Sequence, residues 1–255
     1  MATDPTKRFS TRAENYAKYR PPYPLEVLDI LREECGLVRS HVVADVGSGT
    51  GLLTVLFLRN GNRVCAVEPN EAMREAAERD LRRFPTFVSI AGRAEDTTLP
   101  SASVDMVTSG QAFQWFDHSG ARAEFARILR PGGWVVLVWN RRRTAEGSLQ
   151  QAIQEAMRRV IPDYEEARRR HADEGAIRNF YGPHGFGLRI CPNQQVLNWP
   201  ALRGNLLSHS SVPEPGQLGH EETMTELRRL FGAHQQDGRV VLEYDTKMYF
   251  GRLDT

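Results

Sequence analysis

The chain has 255 residues, 40% apolar and 25% charged, which is enough for one or two domains and excludes collagen, coiled-coil and wholly disordered readings. With 33 basic and 32 acidic side chains the formal net charge is +1, so nothing global draws the chain to nucleic acid or an anionic membrane. The three cysteines, Cys35, Cys65 and Cys191, are widely spaced and form no C-x-x-C pair, so neither a zinc ribbon nor a disulfide framework is signalled.

Residues 1–25 are polar, with Phe9, Ala13, Tyr16 and Tyr19 at helical spacing. Arg20-Pro21-Pro22-Tyr23-Pro24 stops that helix. Residues 25–36 read as a short amphipathic helix. Val42 to Val46 is an apolar run that ends at glycines, and a helix is expected from Leu52 to Leu58. Val64 to Val67 is a second strand, ending at Glu68-Pro69. Asn70 is the expected cap of a helix whose face is Met73, Ala76, Ala77 and Leu81. Phe87 to Ile90 and Val104 to Val107 are the next strands. Asp117 opens a helix with Ala121, Phe125, Ile128 and Leu129 on one face. Arg130-Pro131-Gly132-Gly133 breaks it, and Trp134 to Trp139 is a fifth strand. Near-continuous apolar strands alternating with helices predict a parallel sheet covered on both faces.

Past residue 140 the rhythm changes. Ser148 to Val160 reads as a helix. Arg168-Arg169-Arg170, among Glu165, Glu166, Asp173 and Glu174, reads as a solvated helix face. Gly187 to Trp199 is a candidate strand, and Thr223 to His234 a helix. Val240, Leu242, Tyr244, Thr246, Met248 and Phe250 then alternate with a second set at period 2. The first ten residues are polar and no stretch approaches 18 apolar residues, so a cytoplasmic location without a membrane span is expected.

The strongest local signal is Asp45-Val46-Gly47-Ser48-Gly49-Thr50-Gly51, between a strand and a helix. A dinucleotide loop requires G-x-G-x-x-G, whereas here the glycines fall at 47, 49 and 51 and position 52 is Leu. An acid at position 45 suits a cationic amino group and opposes a pyrophosphate. Glu68, at the end of the second strand, is placed to accept ribose hydroxyls.

At this loop the chain resembles the class I S-adenosylmethionine-dependent methyltransferases. Gly92-Arg93-Ala94-Glu95-Asp96, Ser109-Gly110-Gln111-Ala112-Phe113 and Leu129-Arg130-Pro131-Gly132-Gly133 extend the resemblance over about residues 40–140. A narrower likeness, to the trans-aconitate methyltransferase-like group of small-molecule enzymes, rests on Phe9 to Pro24 and on Gln111-Ala112-Phe113-Gln114-Trp115-Phe116. Gln114 stands where that group often has His, so no general base is assigned. The Pro21-Pro22-Tyr23 run precedes the glycine loop, unlike the N-P-P-Y signature of DNA amino-methyltransferases, so a nucleic-acid substrate is not expected.

The resemblance implies a Rossmann-like, doubly wound α/β fold with a seven-stranded sheet and a helical lid. It implies one domain over 1–255, with a core at about 30–140 and 236–255, a lid helix at 1–25 and a lid insertion at about 141–235. The implied cofactor is S-adenosylmethionine. Asp45, Gly47, Ser48, Gly49, Thr50 and Gly51 would hold it, with Glu68, Pro69 and Met73 after the second strand. Ala94, Glu95, Gln111, Phe113 and Arg20 complete that wall. Tyr16, Tyr19, Gln114 and Trp115 would face the acceptor, with Arg20 meeting a carboxylate. The expected function is methyl transfer to a small-molecule acceptor, a carboxylate being one candidate, by a monomer or homodimer. The alternative is a non-catalytic cofactor-binding or protein-interaction module. His118, His209 and His220 have no ligand-spaced partner, so no metal is expected.

Overall fold

The computed structural model describes residues 10–160, 173–209 and 212–253. The calls on Phe9 and on Arg168-Arg169-Arg170 fall outside these residues. In chain order the elements are α1 (Ala13–Tyr19), α2 (Glu26–Cys35), β1 (Val42–Val46), α3 (Thr54–Asn60), β2 (Arg63–Val67) and α4 (Glu71–Leu81). Then come β3 (Phe87–Ile90), β4 (Val104–Gly110), α5 (His118–Ile128), β5 (Leu129–Arg142), α6 (Leu149–Val160) and α7 (Glu174–Tyr181). β6 (Gly187–Asn198), α8 (Trp199–Leu207), α9 (His220–His234) and β7 (Arg239–Gly251) follow.

One seven-stranded sheet runs in the order β3-β2-β1-β4-β5-β7-β6. β7 lies antiparallel between β5 and β6. The strand order reverses between β1 and β4, where open α/β sheets bind ligands at the carboxyl ends. β1, β2, β4 and the middle of β5 bury both faces, as their unbroken apolar runs require, while the edge strand β6 is largely exposed. On one face Val43, Val64, Met106 and Val136 pack with α2 and α3 residues such as Leu31 and Phe57. On the other, Ala44, Val67, Val107 and Leu137 pack with Phe125 of α5 and Phe180 of α7.

A third apolar cluster lies apart from these two. Ile153 and Met157 of α6, Leu202 and Leu206 of α8, and Leu227 and Phe231 of α9 meet Leu242 and Tyr244 of β7. The period-2 alternation of β7 thus faces the sheet core near Met248 and the helical cap near Val240.

Two expectations change. Leu52 and Leu53 belong to the loop, because α3 begins at Thr54. Leu129 is not on the face of α5; it pairs with Val104 as the first residue of β5, and a register shift follows before Trp134 meets Met106. Gly132 takes a left-handed φ of 79° within that bulge. Within the span expected as a lid insertion, about 141–235, β6 joins the sheet and α7 packs on its face, while α6, α8 and α9 meet in the third apolar cluster.

Candidate functional site

Two adjoining cavities open beneath α1, at the carboxyl ends of β1, β4 and β5. The first, about 420 Å³ with its mouth, is lined by Tyr16, Arg20, Tyr23, Asp45, Ser48, Leu53 and Asn140 among others. The second, about 780 Å³ with its mouth, has Glu68, Met73, Ala94, Glu95, Trp115 and Phe116 on its walls. Tyr16, Gly47, Gly49, Gly110 and Gln111 border both.

The loop after β1 is pinned to β2, because the N–H groups of Gly47 and Ser48 both donate to Val67 O, at 2.9 and 3.1 Å. Its glycines do different work. A Cβ on Gly47 would lie 2.6 Å from that of Ala112, and one on Gly51 would lie 2.5 Å from Leu81 Cδ1. Gly47 and Gly51 therefore permit close packing. A Cβ on Gly49 would meet nothing within 4 Å, so this residue presents bare backbone to the open cleft.

Glu68 is almost fully buried beside that backbone. Its Oε2 accepts from Gly49 N and its Oε1 from Asn70 N, each at 2.8 Å. Each oxygen keeps acceptor capacity for a further donor. Burial pushes the carboxyl pKa up, against the two backbone hydrogen bonds and Arg74. Asn70 also caps α4 by accepting from Met73 N at 3.0 Å.

Asp45 is fully buried, and burial pushes its pKa up to about 7. Hydrogen bonds from Thr54 (2.6 Å) and Thr108 (3.2 Å) oppose that rise. Arg20 stands in the same cavity, its guanidinium 4.8 Å from the centre of the Tyr16 ring. Arg20 Nη2 donates to Ser208 O at 3.1 Å. Burial lowers the Arg20 pKa. Arg20 Nε and Ser48 Oγ are buried polar atoms with no protein partner among the described residues.

These donors and acceptors fit S-adenosylmethionine. Glu68 suits a ribose diol. Asp45 suits an α-ammonium group, and the orphaned Arg20 Nε and Ser48 Oγ suit an α-carboxylate. An acid and a base facing one small cavity match a zwitterion, not a pyrophosphate.

Of the residues expected from sequence, Tyr16, Arg20, Asp45, Gly47, Ser48, Gly49, Glu68, Pro69, Met73, Ala94, Glu95, Gln111 and Trp115 line the cavities. Five line neither. Gly51 packs on α4, and Thr50 is buried beside it with its hydroxyl unpartnered. Phe113 turns into the core, stacked on His118 at 4.1 Å and edge-on to Phe180 at 5.0 Å. Gln114 spends its amide inside the protein, donating to Gln111 O at 2.7 Å and accepting from Trp139 Nε1 at 3.3 Å. Tyr19 faces α8, where its ring occupies the space a side chain on Gly204 would fill.

Sequence reasoning omitted Pro21, Tyr23, Leu53, Asn70, Phe116 and Asn140 from the walls. Asn140 carried a usable signal, being a polar residue at the carboxyl end of an apolar strand. Its Nδ2 donates to the carbonyls of Pro21 and Pro22, each at 3.3 Å, tying the segment after α1 to the sheet. Gln111 holds a left-handed φ of 59°, uncommon for a residue with a side chain, where β4 ends at the cleft. Among the described residues no histidine or cysteine lines either cavity, no side-chain group could hold a metal ion, and no helix is long and apolar enough to cross a membrane.

Residues 44–137 match the family model of the methyltransferase domain. An uncharacterised methyltransferase of Mycobacterium tuberculosis is 38% identical over 139 residues, 54% of this chain and 54% of that protein. That match spans about half the length of the relative. An uncharacterised methyltransferase-like protein of Schizosaccharomyces pombe is 26% identical over 95% of this chain and 94% of its own. The fold is similar to the structure of a candidate type II methyltransferase from Anaeromyxobacter dehalogenans, with a TM-score of 0.67, 26% identity, and coverage of 93% of this chain and 100% of that one. Over residues 44–137 the chain is thus similar to the methyltransferase domain, and the relatives and the solved structure it resembles are themselves described as methyltransferases.

Proposed function

We propose that the protein transfers the methyl group of S-adenosylmethionine to a small-molecule acceptor, and that the accepting group is a carboxylate. The observation that carries the reading is the pair of adjoining cavities, one charged for the cofactor's zwitterionic end, closed over by α1. The limited space beneath α1 favours a small acceptor over a polymer.

When bound, S-adenosylmethionine supplies a methyl carbon activated by its sulfonium. An acceptor oxygen bonds to that carbon as the carbon–sulfur bond breaks, and the bonding pair stays on sulfur. A carboxylate is already ionised at pH 7, so this step moves no proton. The absence of a histidine or cysteine from the described lining agrees with such an acceptor. What the residues then contribute is alignment and exclusion of water, which can supply ~7–11 kcal/mol of the barrier.

In this reading α1 and α8 form the lid. Gln195 Nε2 and Asn205 Nδ2 both donate to Tyr19 O, at 3.2 and 2.9 Å, so the end of α1 is held to α8 and β6. The test is incubation with S-adenosylmethionine labelled in its methyl group and a pool of small carboxylic acids. The expected product is labelled methyl ester, released as methanol by mild base. Label only in base-stable products would remove the carboxylate from the reading, and no transfer to any acceptor would remove the activity.

A further inference from the structure

Thr246 places a fully buried hydroxyl in the otherwise hydrophobic inward-facing set of β7. It lines neither cavity. Its Oγ1 donates to Asn140 Oδ1 at 2.6 Å, from β7 to its register partner on β5. Asn193 of β6 donates from Nδ2 to the same oxygen at 3.2 Å. With its oxygen so engaged, Asn140 turns its amide nitrogen to the carbonyls of Pro21 and Pro22, and Asn193 adds a second bond to Pro22 O at 2.8 Å. The reverse orientation of the Asn140 amide would set its oxygen against two carbonyls and its nitrogen against that of Asn193. The network is therefore fully satisfied in one arrangement.

The segment that these amides hold cannot hold itself. Pro21 and Pro22 carry no N–H and offer the sheet only carbonyls. From Tyr19 to Pro22, three carbonyls accept from four side-chain amides: Gln195 and Asn205 on Tyr19 O, Asn140 on Pro21 O, and Asn140 with Asn193 on Pro22 O. Arg20 lies inside this clamp. Its N–H donates to Tyr16 O at 3.2 Å, and the proline after it confines its backbone to the extended region, where it stands at a ψ of 148°. Its backbone is thus fixed from both sides. Its side chain enters the first cavity with Nε unpartnered among the described residues.

We propose that Thr246 and Asn193 are positioning residues for the cofactor. Through the Asn140 amide they fix the Pro21-Pro22 backbone, and that backbone aims the Arg20 guanidinium at the cofactor's α-carboxylate. The proposal rests on the S-adenosylmethionine reading of the cleft. A guanidinium held in place before the ligand arrives loses less freedom on binding than one that must be ordered then. The last two strands of the sheet thereby act on the ligand, although neither lines a cavity.

The test is calorimetric titration with S-adenosylhomocysteine and with methylthioadenosine, which shares the nucleoside but lacks the α-carboxylate. Thr246→Val keeps the shape of the side chain and removes its donor. It should weaken S-adenosylhomocysteine binding about tenfold and methylthioadenosine binding less than twofold. Thr246→Ser, which returns the hydroxyl, should restore S-adenosylhomocysteine affinity to within about twofold of wild type. Asn193→Ala, at a half-buried position on the edge strand, should show the same selective loss. Equal weakening of both ligands would assign Thr246 and Asn193 to general stability and overturn the proposal. Unchanged S-adenosylhomocysteine affinity in either variant, or no rescue by Thr246→Ser, would overturn it as well. Failure of wild-type protein to bind S-adenosylhomocysteine would instead overturn the reading on which it rests.

Discussion

The backbone N–H of Gly49 donates to Glu68 Oε2 at 2.8 Å, joining the glycine loop after β1 to the acid that ends β2. The two strongest signals in the sequence thus form one structural unit. Glu68→Gln replaces one accepting oxygen with a donor and sets it against either Gly49 N or Asn70 N. It also removes the negative charge offered to a ribose diol. Charge-assisted hydrogen bonds contribute roughly 1.5–3 kcal/mol each, so S-adenosylhomocysteine affinity should fall at least tenfold by titration calorimetry. Unchanged affinity would show that Glu68 serves the loop alone.

Two neighbouring glycines should fail in opposite ways. Gly49→Ala places a methyl group in open cleft at a φ of 56°, which costs about 1–2 kcal/mol of strain and obstructs ligand. The protein should fold with a modestly lower Tm and lose cofactor binding. Gly51→Ala drives a methyl group to within 2.5 Å of Leu81 Cδ1, at a φ of 84°. Its main effect should be on stability, with Tm falling more than for Gly49→Ala. Thermal melts with calorimetry on both variants check this, and the reverse order would contradict the division of roles.

The end of α8 is held to α1 by Arg12. Its Nη2 donates to Val212 O at 2.8 Å, its Nη1 to Leu207 O at 3.3 Å, and its Nε to Glu214 at 3.1 Å. Arg12→Ala should leave the sheet intact while loosening the lid. Dissociation of S-adenosylhomocysteine should accelerate severalfold in stopped flow, and α1 should become sensitive to limited proteolysis. An unchanged off-rate would mean that α1 does not gate the cleft.

Cofactor binding should depend on pH through Asp45, whose pKa burial raises to about 7. An ammonium group bound beside it favours the ionised carboxylate. Below about pH 7 that binding must expel a proton, so affinity should rise with pH and level off above 7. The cofactor's own amino group begins to lose its charge near ~7.7, which limits the plateau. The sign for folding is opposite. An acid with a raised native pKa favours the fold at low pH, and that contribution fades as pH climbs from the ordinary aspartate range toward 7. Asp45→Asn should flatten the binding profile measured by calorimetry between pH 5.5 and 7.5. A profile with the same slope in the variant would assign the titration elsewhere, with Glu68 next to be examined.

The sheet was legible because buried parallel strands read as apolar runs, each ending in a polar or glycine residue that became part of the cleft, as at Asp45 and Glu68. Direction within short turns was not legible. Phe113 and Trp115 share a 3-10 turn, yet Trp115 faces the second cavity and Phe113 the core. Likewise Tyr16 and Tyr19 lie three apart on α1, and only the packing of α8 separates them, with Gly204 leaving room for the Tyr19 ring. Tyr23 is legible only as part of a proline-rich stop, whose lack of periodicity hides that it lines the cleft. Its hydroxyl lies 2.5 Å from where a Cβ on Gly110 would stand, a relation between distant chain segments.

The central claim is that the cleft between the glycine loop and α1 is built for S-adenosylmethionine. Isothermal titration of the purified chain with S-adenosylhomocysteine, with NADH in a parallel run, tests it most directly. The account predicts one site of micromolar affinity for S-adenosylhomocysteine, about −8 kcal/mol, and no heat from NADH. Saturable NADH binding with no response to S-adenosylhomocysteine would contradict it.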